Sequence, residues 1–171
     1  TQFNGLAVDE ILSVGTDIII PDGEFQENPS PAQTPKTPAS VSRFAGLPEI
    51  IGYFARPIIG GRNSRATQKN PHGLHGFNGI DLASSCGFPI MASAGGTVII
   101  ARSSGWNGGY GKYVVISHPN GVQTLYGHMS SVFVSPGQTV AQGFAIGAIG
   151  STGNSTGCHV HFEIRGAKNP F

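Results

Sequence analysis

Apolar and polar residues alternate with a period of two through most of the second half of this 171-residue chain. In Cys158-His159-Val160-His161-Phe162-Glu163-Ile164, the residues Val160, Phe162 and Ile164 fall on one side of an extended strand and His159 and His161 on the other. Similar runs cover 78–83, 88–92, 96–103, 112–118, 122–128 and 139–149, with 159–165 as the last. Turn residues separate them, and none shows helical periodicity. Pro119-Asn120-Gly121 joins Tyr113–His118 to Val122–His128 as a hairpin turn. The glycine-rich segment 150–157 (GSTGNSTG) leads into the His159 strand. The pattern predicts an all-β domain of mainly antiparallel sheet.

The chain before residue 60 is organised differently. Prolines at 29, 31, 35 and 38 mark a stiff linker and a domain boundary. Ahead of it lie an amphipathic stretch (Leu6, Val8, Ile11, Leu12), Gly15, and a strand-like Asp17-Ile18-Ile19-Ile20 stopped by Pro21. About twenty residues cannot build a core of their own. Residues 41–60 read as a short helical or extended lead-in, and Gly60–Gly73 as a polar, basic loop.

Composition agrees with a turn-rich β protein: 26 glycines, 12 prolines and few strong helix formers. No apolar run approaches the ~20 residues that cross a bilayer as a helix. The chain opens without Met and without a charged-then-apolar leader, so we expect a fragment or processed form with any export signal upstream. Residues 1–49 carry seven acids against two bases (net −5), and residues 50–171 carry eight bases against two acids (net +6). A basic domain favours an anionic partner. The bases are scattered and no nucleic-acid motif is present, which leaves a cell-wall polymer as the expected partner.

All six histidines (72, 75, 118, 128, 159, 161) share the segment that holds only Asp81 and Glu163 as acids. Asp81 sits among apolar residues in Gly79-Ile80-Asp81-Leu82-Ala83, where a buried carboxylate needs an arginine or a metal. His159 and His161 taken alone fit either a metal ligand with an acid/base partner or two hydrogen-bonded strand histidines. His118 directly precedes a turn and is expected at the surface.

The segments Asn78-Gly79-Ile80-Asp81-Leu82-Ala83, Gly87-Phe88-Pro89-Ile90, Gly109-Tyr110-Gly111 and Leu125-Tyr126-Gly127-His128-Met129 occur in order with Val134-Ser135-Pro136-Gly137-Gln138, Gly150-Ser151-Thr152-Gly153 and His159-Val160-His161-Phe162-Glu163. Over about residues 54–171 the chain thereby resembles the lysostaphin/LytM-type zinc endopeptidases that cut peptidoglycan peptides (metallopeptidase family twenty-three). Residues 1–22 resemble the C-terminal half of a LysM module. The implied organisation is a partial LysM-like module at 1–22, a Pro-rich linker at 23–45 and a LytM-like domain of the duplicated-hybrid-motif type at 46–171.

What the resemblance implies for the site follows residue by residue. One zinc per chain is held by His75, Asp81 and His161, with an open position of the kind catalytic zinc keeps. The family spacing His-x-x-x-Asp falls on Phe77, so the ligand shifts to His75, two residues farther away, with Gly76 and Gly79 permitting a turn that returns it; His72 is the competitor. His128 and His159 stand as catalytic acid/base groups near the metal without ligating it. Glu163 is a partner either for an imidazole or for Arg165 or Arg102. Cys86 and Cys158 flank Asp81 and His161; a disulfide, two unrelated thiols and a thiolate ligand are all open. The implied function is a secreted or periplasmic hydrolase of peptidoglycan peptides. The alternatives are an inactive LytM-like domain that activates an amidase and a module that only binds the wall.

Overall fold

A computed structural model describes residues 46–171, and the readings made for 1–22 and 23–45 lie outside the described residues. Ten strands follow in chain order: β1 (Arg62–Asn63), β2 (Gly79–Ala83), β3 (Pro89–Met91), β4 (Gly96–Arg102), β5 (Lys112–Ser117), β6 (Gln123–Met129), β7 (Ser131–Val132), β8 (Thr139–Val140), β9 (Ala145–Ala148) and β10 (His159–Arg165). Seven form an antiparallel sheet in the order β1-β2-β10-β6-β5-β4-β8, and three form a second sheet, β3-β9-β7. Among the described residues the only helical element is a 3-10 turn at Asn107–Gly109.

The alternation read from β10 sets the core. Val160, Phe162 and Ile164 are fully buried, and opposite them lie Leu82 and Ile80 of β2 and Tyr126 and Thr124 of β6, all equally buried. The register continues to Val114 and Ile116 of β5. Ile90 and Ile146 of the small sheet join the same cluster. Removing these branched and aromatic side chains from water supplies ~25 cal/mol per Å² of apolar surface, and it fixes register, because a one-residue slip would turn every one of them outward.

Two expectations need correction. The run 139–149 is not one strand: Gly143 takes φ +81°, and Phe144 N–H donates to Ala141 O in a turn that separates β8 from β9 and sends them to different sheets. His118 is not at the surface. It is 4% exposed, with Nδ1 2.9 Å from Gly95 O and Nε2 2.9 Å from Thr124 Oγ1, which also lies 2.9 Å from the Tyr126 hydroxyl. Gly96 makes this possible, since a Cβ there would stand 2.9 Å from His118 Nδ1 and 2.4 Å from Ser117 O.

Candidate metal centre and active-site groove

β2 and β10 pair so that His161 stands directly opposite Asp81. Opposed residues of an antiparallel pair share a face, so the imidazole and the carboxylate project together, away from the Phe162 core. His161 Nδ1 lies 2.8 Å from Asp81 Oδ1.

His75 reaches the same point through a loop. His75 and Gly79 exchange two backbone hydrogen bonds of 2.9 Å, closing a three-residue turn over Gly76, Phe77 and Asn78. Gly76 (φ +55°) and Asn78 (φ +62°) both take the left-handed conformation, which glycine adopts freely and asparagine tolerates better than most residues. Asn78 also donates to Ile164 O (3.0 Å) and Ala167 O (2.7 Å), which clamps the turn to the end of β10. His75 Nε2 thereby sits 3.1 Å from Asp81 Oδ1 and 3.2 Å from His161 Nδ1. Phe77 lies at the tip of this turn, 54% exposed, with the Arg165 guanidinium 5.7 Å from its ring centre. His72 is elsewhere, its Nδ1 3.1 Å from Phe171 O.

The partners around these three residues determine where their lone pairs point. His75 Nδ1–H donates to Gly73 O (2.9 Å), leaving Nε2 as an acceptor. His161 Nε2–H donates to Glu163 Oε1 (3.1 Å), leaving Nδ1 as an acceptor. Asp81 adds a carboxylate oxygen. Three acceptor atoms therefore converge within 4.8 Å of one another, a set that a cation satisfies well. Without a metal the proton is that cation. Burial disfavours imidazolium at His161, but its bonds to Asp81 and Glu163 prevail and push its pKa up to about 9. Burial likewise disfavours ionised Asp81, yet hydrogen bonds from His161, His75 and Arg65 hold its carboxyl well below the usual range.

Glu163, 1% exposed, resolves the choice left open for it, since it serves both roles. Oε1 faces His161 and accepts from the Tyr110 hydroxyl (2.7 Å), while Oε2 pairs with Arg165 (2.7 Å). Burial opposes its ionisation, but the bonds from His161 and Tyr110 and the Arg165 charge keep it a carboxylate. The Tyr110 phenol is pushed up to about 12, first by burial and then by this glutamate.

His128 and His159 stand beside the convergent trio. His128 follows Gly127, the last residue of β6 paired with β10, and takes φ +59°, an uncommon conformation for a residue with a side chain. Its N–H donates to Tyr110 O and its Nδ1–H to Thr152 O, both at 2.8 Å. Burial is the main reason its pKa is lowered, so it stays neutral. His159 Nδ1–H donates to Gly157 O (2.9 Å), and its Nε2 lies 3.7 Å from Asp81 Oδ1. The two rings are 4.7 Å apart, each with a backbone carbonyl on Nδ1 and, among the described residues, no hydrogen-bond partner on Nε2.

These groups line one groove of about 740 Å³ with Gly108, Gly109, Tyr110, Asn154 and Thr156. A larger hollow of about 860 Å³ lies at Tyr53, Thr97, His118 and Gln142, but both His118 nitrogens are already bonded there. Cys86 and Cys158 are disulfide-bonded with Cα atoms 5.2 Å apart, which removes the thiolate-ligand option and ties the segment after β2 to the residue before His159. Two groove residues carry no local sequence signal for their contacts. Tyr110 lies in a Gly-Tyr-Gly match that says nothing of Glu163, and Arg65, whose Nε donates to Asp81 Oδ2 at 2.6 Å, lies in a loop without periodicity.

Comparison with known proteins returns one family model, that of peptidase family M23, over residues 75–171. The DD-carboxypeptidase/endopeptidase Mpg of Neisseria gonorrhoeae is 48% identical over 123 residues, which is 70% of this chain and 28% of that protein. The peptidoglycan DD-endopeptidase ShyA of Vibrio cholerae is 41% identical over 87 residues, 51% of this chain and 20% of that protein. Among solved structures, an M23 peptidase structure from Pseudomonas aeruginosa superposes with a TM-score of 0.54 at 32% identity, covering 71% of this chain and 48% of the other. The matched region is thus under a third of the length of these curated relatives.

Proposed function

The chain belongs to peptidase family M23, and from that premise we propose that it is a zinc-dependent endopeptidase hydrolysing peptide bonds of bacterial peptidoglycan. The observation that carries this reading is the convergence of three acceptor atoms, on His75, Asp81 and His161, in a groove that also holds two further imidazoles, His128 and His159, each anchored through Nδ1. Two imidazoles and one carboxylate are a donor set that would suit zinc, and they face a groove that substrate and water can enter. When bound, zinc supplies Lewis-acid polarisation of the scissile carbonyl and of the attacking water.

The chain's own residues do the rest. Glu163 and the Gly73 carbonyl fix the ligand imidazoles in the tautomers that present their lone pairs. His128 and His159, anchored through Nδ1, take the proton from the attacking water and return it to the leaving amine. Among the lining residues Asp81 is the one carboxylate, and it is already shared by imidazoles and Arg65, so the base is an imidazole.

The organisation we propose is a LysM-like stub at 1–22, a linker at 23–45 and the catalytic domain at 46–171, acting outside the cytoplasm at the cell wall, as expected for the substrate. A second reading, an inactive domain that activates an amidase or only binds the wall, draws on the displaced first ligand. The turn that carries His75 to 3.1 Å from Asp81 weighs against it. Digestion of defined muropeptides by the zinc-reconstituted chain, followed by mass spectrometry, tests the choice. We expect cleavage of a stem or cross-link peptide bond that is lost in His161→Ala. Intact muropeptides after prolonged digestion by zinc-loaded protein would favour the inactive reading.

A further inference from the structure

Arg65 is 60% exposed in its side chain, yet it is held in place. Its Nε donates to Asp81 Oδ2 at 2.6 Å, and its backbone N–H donates to Asn63 Oδ1 at 3.2 Å. The preceding residue, Ser64, bonds Asp81 O through its N–H at 2.9 Å. A guanidinium offers five donors in a rigid fork, and only the Nε donor of Arg65 is used within the described residues. The edge formed by its two terminal nitrogens is left for a ligand. A planar, two-donor edge matches a carboxylate bidentately.

Charge points the same way. Among the residues lining the groove Arg65 is the one permanent cation and Asp81 the one carboxylate. Asp81 is fully engaged by His75, His161 and Arg65. Glu163 is buried and paired with Arg165. The groove therefore presents a cation and no free anion. Because Arg65 grips the same carboxylate that faces His75 and His161, an anion on its outer edge lies in the same groove as those three residues. The nearest carboxylate a peptide bond can carry is the α-carboxylate of the residue that supplies its amine.

We propose that the outer edge of the Arg65 guanidinium is a carboxylate subsite. It selects peptide bonds whose amine-side residue keeps a free α-carboxylate, as in a C-terminal amino acid or a diamino acid acylated through its second amine. Bonds within a continuous main chain, such as a glycine bridge, lack that group and are disfavoured. This inference deepens the peptidase reading above and rests on it for the identity of the reacting bond.

The test uses diacetyl-L-Lys-D-Ala-D-Ala and its C-terminal amide with the full chain. Cleavage is measured with zinc-loaded protein, and equilibrium binding of both peptides by NMR titration with metal-free protein. Wild type should prefer the acid by about tenfold or more in both measurements, as befits a hydrogen bond to a charged group. Arg65→Gln should bring the acid down to the level of the amide, and Arg65→Lys should keep part of the preference. If Arg65 only orients Asp81, Arg65→Gln weakens both peptides equally, and the subsite is overturned. Equal treatment of acid and amide by wild type overturns it as well, leaving the peptidase reading intact if both are cleaved. Arg65-dependent preference in binding without cleavage supports the subsite and counts against the peptidase reading. Absence of both binding and cleavage overturns the two together.

Discussion

Gly79 offers the sharpest mechanical test of the proposed metal centre. It lies in β2 beside the ligand strand, and a Cβ placed on it would stand 2.7 Å from His161 Cε1, 3.0 Å from His161 Nε2 and 3.2 Å from Glu163 Cγ. Carbon atoms pack comfortably at ~3.5–4.0 Å, so Gly79→Ala drives the imidazole back by nearly 1 Å or displaces the strand. Metal–ligand distances tolerate only about ±0.2 Å. The same push separates His161 Nε2 from Glu163, so both the ligand and the group that orients it are disturbed. The backbone at Gly79 is not in the left-handed region, and alanine suits a strand no worse than glycine there. Overpacking costs ~1–3 kcal/mol, so the domain should still fold. We expect zinc affinity to fall ~10–100-fold, the range seen when a ligand's support is lost. The assay is competition with a chromophoric chelator, alongside circular dichroism. Zinc affinity and melting temperature both equal to wild type would refute the placement of His161 against Gly79.

Three further outcomes are expected. Reducing the Cys86–Cys158 bridge, which closes a 72-residue separation, should cost ~2–4 kcal/mol and lower the melting temperature by roughly 5–15 °C, and an unchanged melt in reductant would refute this. His118 has its pKa lowered below 6.5 by burial, so its contribution is complete above that value and is lost as pH falls, when the unfolded chain takes up a proton the folded chain resists; urea titrations of metal-free protein at about pH 7.5 and about pH 5 should show a smaller drop in His118→Asn than in wild type. Replacing His128 or His159 by alanine should leave zinc content and fold intact and cut turnover by ~10²–10⁴; loss of zinc in His159→Ala would mean that the two strand histidines have exchanged roles.

The strands with a clear face were legible in the sequence. Val160, Phe162 and Ile164 alternate with His159, His161 and Glu163, and that alternation divides the apolar core face of β10 from the face on which His159 and His161 line the groove and Glu163 is buried beside them. The five histidine and aspartate positions singled out for the site all meet in one groove. What escaped has physical causes. β1 and β7 are two residues long, too short for any period to show. The break between β8 and β9 depends on one positive φ at Gly143 inside an apolar run. His118 reads as a surface residue in the sequence because its burial depends on the missing side chain of Gly96, distant along the chain. Arg65 meets Asp81 only because β1 pairs with β2, a contact that no spacing rule encodes.

We propose that the first ligand sits at His75, two residues off the family spacing, and that the site so formed is catalytic. Zinc content by mass spectrometry, measured with muropeptide cleavage on wild type, His75→Ala and His72→Ala, tests it most directly. One zinc per chain and cleavage are expected in wild type and His72→Ala, with both lost in His75→Ala. Retention of zinc by His75→Ala, or zinc below about a tenth of an equivalent in reconstituted wild type, would contradict it.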